Sequence, residues 1–476
     1  MLRTLLVTIM LLLPAGPAAT AREAVTAEAV DAFVTRYRER TGLPGAAVAV
    51  THGDRVVRAA GYGRTATGDP LTADTPMAVA SVSKSFTATA VLRLVERGEV
   101  ELDQPVRRYL PEFAMADPRA AGITVRQLLN QTSGMADSAF HEKSLPQPAT
   151  LRGAVARLRT ARLASAPGTA YSYHNTNFQV AARLVEVVSG EPFAAFLRAE
   201  VFAPLGMRHS TTIDTDRDLP GSARGHLYVL GRPIPLPEPA GFGNGSGGVL
   251  STAHDMARWL IAQNTGDGVL SAAGVRVSRT PSPQNPEYAL GWTLGKTPRG
   301  AATVEHEGDL FTSTAYQLLI PASGYGIAVM ANTGMAFEDA DTLMAGLVAL
   351  VEGDAPAQPG FSPLLVTDLL FLLAALATIV LGVRGVVRAR RWTARWWALP
   401  LHLAPLALCL LAAPVFRVLA RGSDIAWIQV VYLYPTFMAA LVTAAAAGTA
   451  VVIARLAARW AGRRAMPRGV IARPHR

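Results

Sequence analysis

The chain has 476 residues, more than one ordinary core, and a net charge of +10 that could serve a nucleic-acid surface only if it were spread over a folded domain. It is concentrated elsewhere: residues 361–476 hold 14 arginines against Asp368 and Asp424, while residues 1–360 are close to neutral. The basicity therefore flanks apolar runs, no nucleic-acid partner is expected, and a lone cysteine, Cys409, excludes a disulfide within the chain.

Met1-Leu2-Arg3, the apolar run Leu5 to Leu13 and the small site Ala19-Thr20-Ala21 have the form of a secretory signal peptide over residues 1–21, cleaved after Ala21. An uncleaved anchor is the alternative. Residues 22–353 then read as one folded unit. Val25, Ala29, Phe33 and Tyr37 recur at four-residue steps and predict a helix over Ala24 to Arg40. Ala46 to Val50 and Arg55 to Tyr62, around His52-Gly53-Asp54, predict a β-hairpin.

The segment Ala80-Ser81-Val82-Ser83-Lys84 follows Thr75-Pro76-Met77 and continues as a predicted helix to Arg97, stopped by Gly98. A serine hydroxyl attacks a carbonyl only with a base in hydrogen-bond reach. Residues i and i+3 share a helix face, so Lys84 can reach Ser81 if burial lowers its pKa. Among 45 basic side chains only Lys84, Lys143 and Lys296 are lysines. An ammonium can be deprotonated in a protein and a guanidinium cannot, so a lysine kept inside an apolar helical run points to proton transfer.

Leu102-Asp103-Gln104-Pro105-Val106 turns the chain, and Ile123 to Leu129 forms a short helix, capped by Thr124, that runs into Thr132-Ser133-Gly134. Tyr173-His174-Asn175-Thr176-Asn177-Phe178 then opens a helix ending at Gly190. A phenol beside an ammonium can relay a proton and an Asn can hold a substrate amide. Tyr173 and Asn175 are candidates for these roles, with Asn177 and Tyr171 as rivals; the triplet Tyr171-Ser172-Tyr173 lacks the amide, and His174 reads as a surface residue. Pro204-Leu205-Gly206-Met207 and Gly247-Gly248-Val249-Leu250-Ser251-Thr252 lead to a further capped helix.

Two further stretches, near Lys296 and near His306, carry chemistry-bearing side chains beside predicted strands. Lys296-Thr297-Pro298 lies in a polar run, Gly295 to Gly300, and its proline is poorly tolerated inside a paired strand, so a hairpin loop is expected there. His306-Glu307-Gly308 follows the strand-like Ala302 to Val304 and precedes an antiparallel pair, Ala315 to Ile320 and Gly326 to Met330. Its glycine lets a substrate backbone approach the strand edge.

In this order, Ser81-x-x-Lys84, Tyr173-x-Asn175 and His306-x-Gly308, with the Leu102 to Val106 turn and Thr132-Ser133-Gly134, resemble the serine β-lactamase and penicillin-binding protein superfamily, in its class C β-lactamase-like and D-alanyl-D-alanine carboxypeptidase-like branch. The resemblance implies an α/β (α+β) fold: an antiparallel sheet flanked by helices, with an all-α region over roughly residues 100–240. It implies that Ser81 attacks an amide, lactam or ester carbonyl while Lys84 and Tyr173 shuttle its proton. Asn175, His306 and Gly308 bind the substrate, the backbone N–H groups of Ser81 and Asp309 form the oxyanion hole, and no metal or cofactor is required. Asp309-Leu310-Phe311-Thr312 departs from the small residue and Pro-Gly pair of many relatives, and a carboxylate at Asp309 disfavours an oxyanion beside it. A His in the third motif resembles members acting on D-amino-acid, cell-wall-related peptides. β-Lactamase or esterase activity is the alternative, and a non-catalytic penicillin-binding sensor or membrane scaffold is the rival of another class.

A Pro/Gly/Ala linker, residues 354–363, precedes three apolar runs at 364–383, 396–416 and 425–454, each long enough to span a bilayer, and a basic tail at 455–476. Trp392, Trp397, Trp427, Tyr432 and Trp460 are placed as interfacial aromatics. Arginines crowd the first connection, Arg384 to Arg395, and the C-terminal end, whereas the second connection has only Arg417 and Arg421. With positive segments inside, a multi-pass membrane protein results, its C-terminus cytoplasmic and Leu364 outside, in agreement with an exported hydrolase domain. Asp368 and His402 are expected at the interfaces. The expected partners are a small-molecule or peptide substrate carrying a carbonyl and the lipid bilayer; no protein partner is indicated.

Overall fold

A computed structural model describes residues 25–266, 268–357, 363–391, 398–419 and 424–464. The expected signal peptide, half of the linker, Trp392 and Trp397, and the end of the basic tail lie outside the described residues.

The first helix, Ala27–Thr41, starts where the Thr26 side chain accepts from Ala29 N–H and ends at Gly42, whose φ of 76° suits glycine. It buries Val30, Phe33, Val34 and Tyr37. The stripe thus mixes steps of three and four and leaves out Val25 and Ala29, because 3.6 residues per turn do not sustain a strict four-residue repeat. The expected hairpin follows as Gly45–His52 and Arg55–Gly63.

These strands form one edge of a six-stranded antiparallel sheet, in the order Arg55–Gly63, Gly45–His52, Tyr325–Ala331, Thr314–Ile320, Ala302–Asp309, Thr293–Lys296. Pairing of Ala46 with Ala331 and of Val48 with Val329 joins the start of the domain to its end. Side chains alternate across a strand. Ala46, Val48 and Val50 accordingly pack with the first helix and with Asp339–Val351, while Ala47 and Ala49 join the core around Ser83–Glu96 and Ala253–Thr265. A sheet buried on both faces results, with the nucleophile-bearing helix on one side.

The region over residues 100–240 is less helical than expected. Thr176–Ser189 is a full helix of 14 residues. The others are short, such as Val125–Leu129 and Leu151–Ala156, and a β-hairpin, Gly225–Val229 with Arg232–Leu236, closes the region. Prolines punctuate this region: Pro105 and Pro192 cap helix starts, Pro118 opens a 3₁₀ turn, and Pro111 follows the end of Val106–Tyr109, so no helix but Thr176–Ser189 runs long.

Two helices in the tail, spanning Leu364–Val387 and Pro435–Ala461, are long and apolar enough to cross a membrane. The middle run is instead two helices, Leu399–Leu410 and Ala412–Leu419, bent by 69°. Pro414 accounts for the break: in a continuous helix its ring would meet the carbonyl four residues back. The third run also divides, into Trp427–Leu433 and a helix that begins at Pro435, since the residue before a proline avoids helical dihedrals and Tyr434 has φ −140° and ψ 69°. Small residues let these helices approach. A Cβ on Gly448 would lie 1.9 Å from the His402 carbonyl oxygen, and one on Gly382 would lie 2.8 Å from Ala447 Cβ. Asp368 sits at the end nearest the folded domain, accepting from Leu230 N–H at 2.8 Å and Thr436 Oγ1 at 2.5 Å. His402 lies toward the other end, 2.8 Å from Arg455.

Candidate active site

The Ser83–Glu96 helix is held by buried polar contacts. Ser83 Oγ accepts from Val249 N–H at 2.9 Å and Thr87 Oγ1 donates to the Gly245 carbonyl at 2.6 Å. Ser85 Oγ accepts from Gln317 Nε2 at 2.9 Å, and Gln317 Oε1 in turn accepts from Trp259 Nε1 at 2.8 Å. Buried and satisfied, such bonds fix one helix position relative to the sheet. Ser81 precedes the helix in a 3₁₀ turn, Ala80–Val82. Ala80 has φ 46°, a left-handed conformation costing roughly 1–3 kcal/mol, of the kind that collects where a side chain must be presented sharply.

One turn on, Lys84 is completely buried. Its Nζ lies 2.8 Å from Ser81 Oγ, 2.9 Å from Asn175 Oδ1 and 2.8 Å from the Ser246 carbonyl oxygen. Burial lowers its pKa to about 7; Glu142 opposes that shift and Lys143 adds to it. As a neutral amine it can donate to Asn175 and Ser246 and accept the proton of Ser81.

Gln131 places the second motif. In a left-handed conformation, φ 62°, it accepts from Ser172 N–H at 2.9 Å through its carbonyl. Its Oε1 accepts from His174 N–H at 3.1 Å and from Asn177 Nδ2 at 2.5 Å. This pinning turns Asn175 toward Lys84 and Asn177 into the core. His174, expected at the surface, is buried, its Nε2 3.1 Å from the Phe140 carbonyl oxygen, because the Phe140 loop covers it. The Tyr173 ring flanks the cleft with its centroid 4.8 Å from Lys84 Nζ. Burial of its hydroxyl raises the phenol pKa above its ordinary value, and a hydrogen bond with Ser81 partly offsets this.

The third motif lies on Ala302–Asp309, where His306 pairs with Gln317 and Gly308 with Ala315. His306 is buried, with Nδ1 2.6 Å from the Glu307 carbonyl oxygen and Nε2 3.3 Å from Tyr288 Oη. A carbonyl only accepts, so Nδ1 carries the proton and Nε2 accepts from Tyr288. Burial, with the charge of Lys84, lowers the imidazole pKa to about 3, so the ring is neutral at physiological pH. Lys296, itself exposed, ends the half-buried Thr293–Lys296 strand, pairs with Ala302, and does not line the cleft.

A Cβ on Gly308 would lie 2.3 Å from the Val79 carbonyl oxygen and 3.0 Å from Ser81 N. Only glycine lets this strand edge reach the backbone of the nucleophile turn. Gly308→Ala is expected to lower kcat/KM by on the order of 10²-fold through misplacement of the two segments. Steady-state rates on an activated ester, with the rate of covalent serine labelling, check this; wild-type values for both would show that the contact does not matter.

Asp309 is exposed to the cleft, yet crowding by the cleft walls, with Glu307, Asp341 and Glu338 nearby, raises its carboxyl pKa to about 7. Ser81, Tyr173, Asn175, His306 and Asp309 all line one cleft of about 590 Å³. A second lobe shares Ser81, Asn175 and Asp309 and runs past Glu142 and Glu238. Among the described residues no three His, Cys, Asp or Glu side chains are grouped to hold a metal.

Several contributors escaped the sequence reading: Tyr288, Gln131, Ser246 and Lys143, and a wall supplied by Asp424, Ile425, Gln429 and Leu433 of the tail. Lys143 had a signal as one of three lysines, and Ser246 had one in its glycine-rich surroundings, Gly243 to Gly248. The others are brought to the site by the fold alone.

The beta-lactamase family profile matches residues 30–350. The chain is 32% identical over 333 residues to penicillin-binding protein 4 of Amycolatopsis lactamdurans, covering 65% of this chain and 85% of that one. It is 29% identical over 351 residues to esterase EstB of Burkholderia gladioli, covering 64% and 89%. The octameric penicillin-binding protein homologue from Pyrococcus abyssi superposes with a TM-score of 0.60 at 25% identity, over 72% of this chain and 80% of that one. With a nucleophile-ready serine beside a buried lysine and the family match across the whole folded domain, the chain belongs to the beta-lactamase family and is a serine hydrolase.

Proposed function

We propose that the protein is a membrane-anchored, extracytoplasmic hydrolase that forms an acyl-enzyme on Ser81. The observation that carries this reading is the buried Lys84 amine, 2.8 Å from Ser81 Oγ and with its pKa lowered to about 7. Ser81 Oγ bonds to the substrate carbonyl carbon as Lys84 takes its proton, and the carbonyl electron pair moves onto oxygen, held by the backbone N–H groups of Ser81 and Asp309. Collapse breaks the bond to the leaving oxygen or nitrogen, which takes up the proton through Lys84 and Tyr173. Water repeats the steps, releasing the acid and restoring Ser81. Tyr173, its pKa raised, stays protonated and acts as a relay; Asn175 orients the substrate. The apolar helices Leu364–Val387 and Pro435–Ala461, with arginine crowded at one end, support the anchor.

His306 carries no charge, and Glu287, Glu307, Asp309 and Asp424 line the same cleft with it, against the single cation Lys143 among the lining residues. A substrate carboxylate near the scissile bond meets these acids. The cleft therefore favours an ester or amide without one over β-lactams and peptides ending in a free carboxylate. A cell-wall D-amino-acid peptide presenting an amine is the second reading, favoured by the same acidic groups. The full chain in nanodiscs, treated with a fluorophosphonate and given esters, β-lactams and D-amino-acid peptides, tests this. Labelling at Ser81 with turnover of carboxylate-free substrates is expected. No adduct, or one unchanged in Ser81→Ala, overturns the assignment; a permanent adduct with no turnover of any substrate would establish the sensor instead.

The two groups near 7 give a signed pH dependence. Lys84 must lose its proton to act, so kcat/KM rises as pH approaches about 7 from below. Asp309 becomes anionic above about 7, where it opposes the oxyanion, so the rate falls again. A bell-shaped profile is expected, and Asp309→Asn should keep the acidic limb and lose the alkaline one.

A further inference from the structure

One wall of the cleft that holds Ser81 belongs to the segment between the tail helices. Ile425 and Leu433, with Phe311 and Met335 of the folded domain, form an apolar flank of the cleft that holds Ser81. Leu433 is two residues from Pro435, where the long membrane-class helix begins. At roughly 3.5 Å per residue, this flank lies within several ångströms of the apolar bundle.

The junction is built. Asp424 is 1% exposed and accepts from Lys143 N–H at 2.6 Å and Ser144 N–H at 3.0 Å, as well as from Ser144 Oγ. Its own N–H donates to Asp137 Oδ2 at 2.9 Å, and Arg417 Nη2 lies 3.4 Å from its carboxylate. A buried carboxylate is stable only with such partners, so loss of the docked geometry would leave those groups unpaired. Further along, Tyr432 Oη donates to the Pro237 carbonyl at 2.7 Å, and its ring meets Phe311 edge-on at 6.2 Å. Asp368 ties the first tail helix to Leu230, at the tip of the hairpin whose Leu230 and Ile234 stay exposed. Three separate contacts thus seat the cleft on the ends of the tail helices.

We propose that the substrate is an amphiphile resident in the bilayer: its ester or amide carbonyl reaches Ser81 at the membrane surface, its apolar chain lies along Phe311, Met335, Ile425 and Leu433, and its polar part faces Lys143, Glu287 and Gln429. This inference rests on the hydrolase reading and names the substrate class of that site. The tail is then a wall of the cleft as well as an anchor, and its docked segment sets specificity.

The test uses the full chain in phosphatidylcholine vesicles, with p-nitrophenyl palmitate in the bilayer and p-nitrophenyl acetate in the water, and fluorophosphonate labelling of Ser81 as the measure of the hydrolase itself. The palmitate ester is expected to be preferred by about tenfold or more in kcat/KM, as a cleft with an apolar flank discriminates chain methylenes. Asp424→Ala, which undocks the wall, and Leu433→Gln, which only makes it polar, should each reduce that preference by about tenfold. Equal rates for both esters, or a preference unchanged in both variants while Ser81 still labels, overturns the inference and leaves the hydrolase standing. Failure of Ser81 to label and to hydrolyse either ester overturns the hydrolase reading and the inference with it.

Discussion

Lys84→Met is expected to lower kcat/KM by on the order of 10²–10⁴-fold, the range general-base catalysis supplies. The residual activity should lose the acidic limb of the pH profile, because no group titrating near 7 remains beside Ser81 Oγ. Lys84→Arg should be as inactive, since a guanidinium at this position holds its proton at every accessible pH. Stability gives a second readout. The unfolded chain binds a proton at Lys84 up to about 10.5 and the folded chain only up to about 7. Between those values the unfolded state binds more protons, so this group's contribution to stability rises with pH across the window. Thermal melts of the full chain from neutral to alkaline pH should show that slope in the wild type and not in Lys84→Met. Retention of both the acidic limb and the slope in the variant would remove Lys84 from its role.

Ser81→Ala is expected to cost more, on the order of 10⁴–10⁶-fold in kcat, as removal of the nucleophile does in serine hydrolases. The fold should tolerate it. Ser81 is half-buried in a 3₁₀ turn, and Lys84 keeps Asn175 and the Ser246 carbonyl as partners. A stability change of no more than about 1 kcal/mol is therefore expected, together with complete loss of fluorophosphonate labelling. Substantial turnover by the alanine variant would place the chemistry on another residue.

Much of the site can be read from local spacing. Ser81 and Lys84 fall on one face by helix geometry, whereas the preference for Asn175 over Asn177 rests on the Tyr-x-Asn resemblance, and the fold turns Asn175 to Lys84 and Asn177 into the core against Gln131. The burial of His306 and its partner Tyr288 cannot be read so, because the strand and the Tyr288 loop meet only through the sheet's edge. Burial also changes the chemistry of His306, from a candidate polar contact into a neutral ring without a cation for the substrate. The helical region expected at 100–240 is an implication of the family resemblance, and this chain departs from it with short helices and the hairpin at 225–236. The middle tail run is apolar over a spanning length, yet Pro414 lets its helix break and bend by 69°.

What the sequence settled is local: the Ser81-to-Lys84 step, the Tyr173-to-Asn175 turn, the glycine at 308, the antiparallel hairpin at Ala46 to Tyr62, and an apolar tail in three runs, of which the fold makes two helices of membrane length. Each is written within a few residues, through helix or strand periodicity and the absence of a Cβ. The tertiary structure decided the electrostatics of the site and the composition of its wall. Lys84 reaches a pKa of about 7 only because segments far apart in the chain desolvate it together. Asp424 meets Lys143 and Ser144 across some 280 residues of sequence, a pairing that no periodicity encodes because it depends on how the tail packs against the domain.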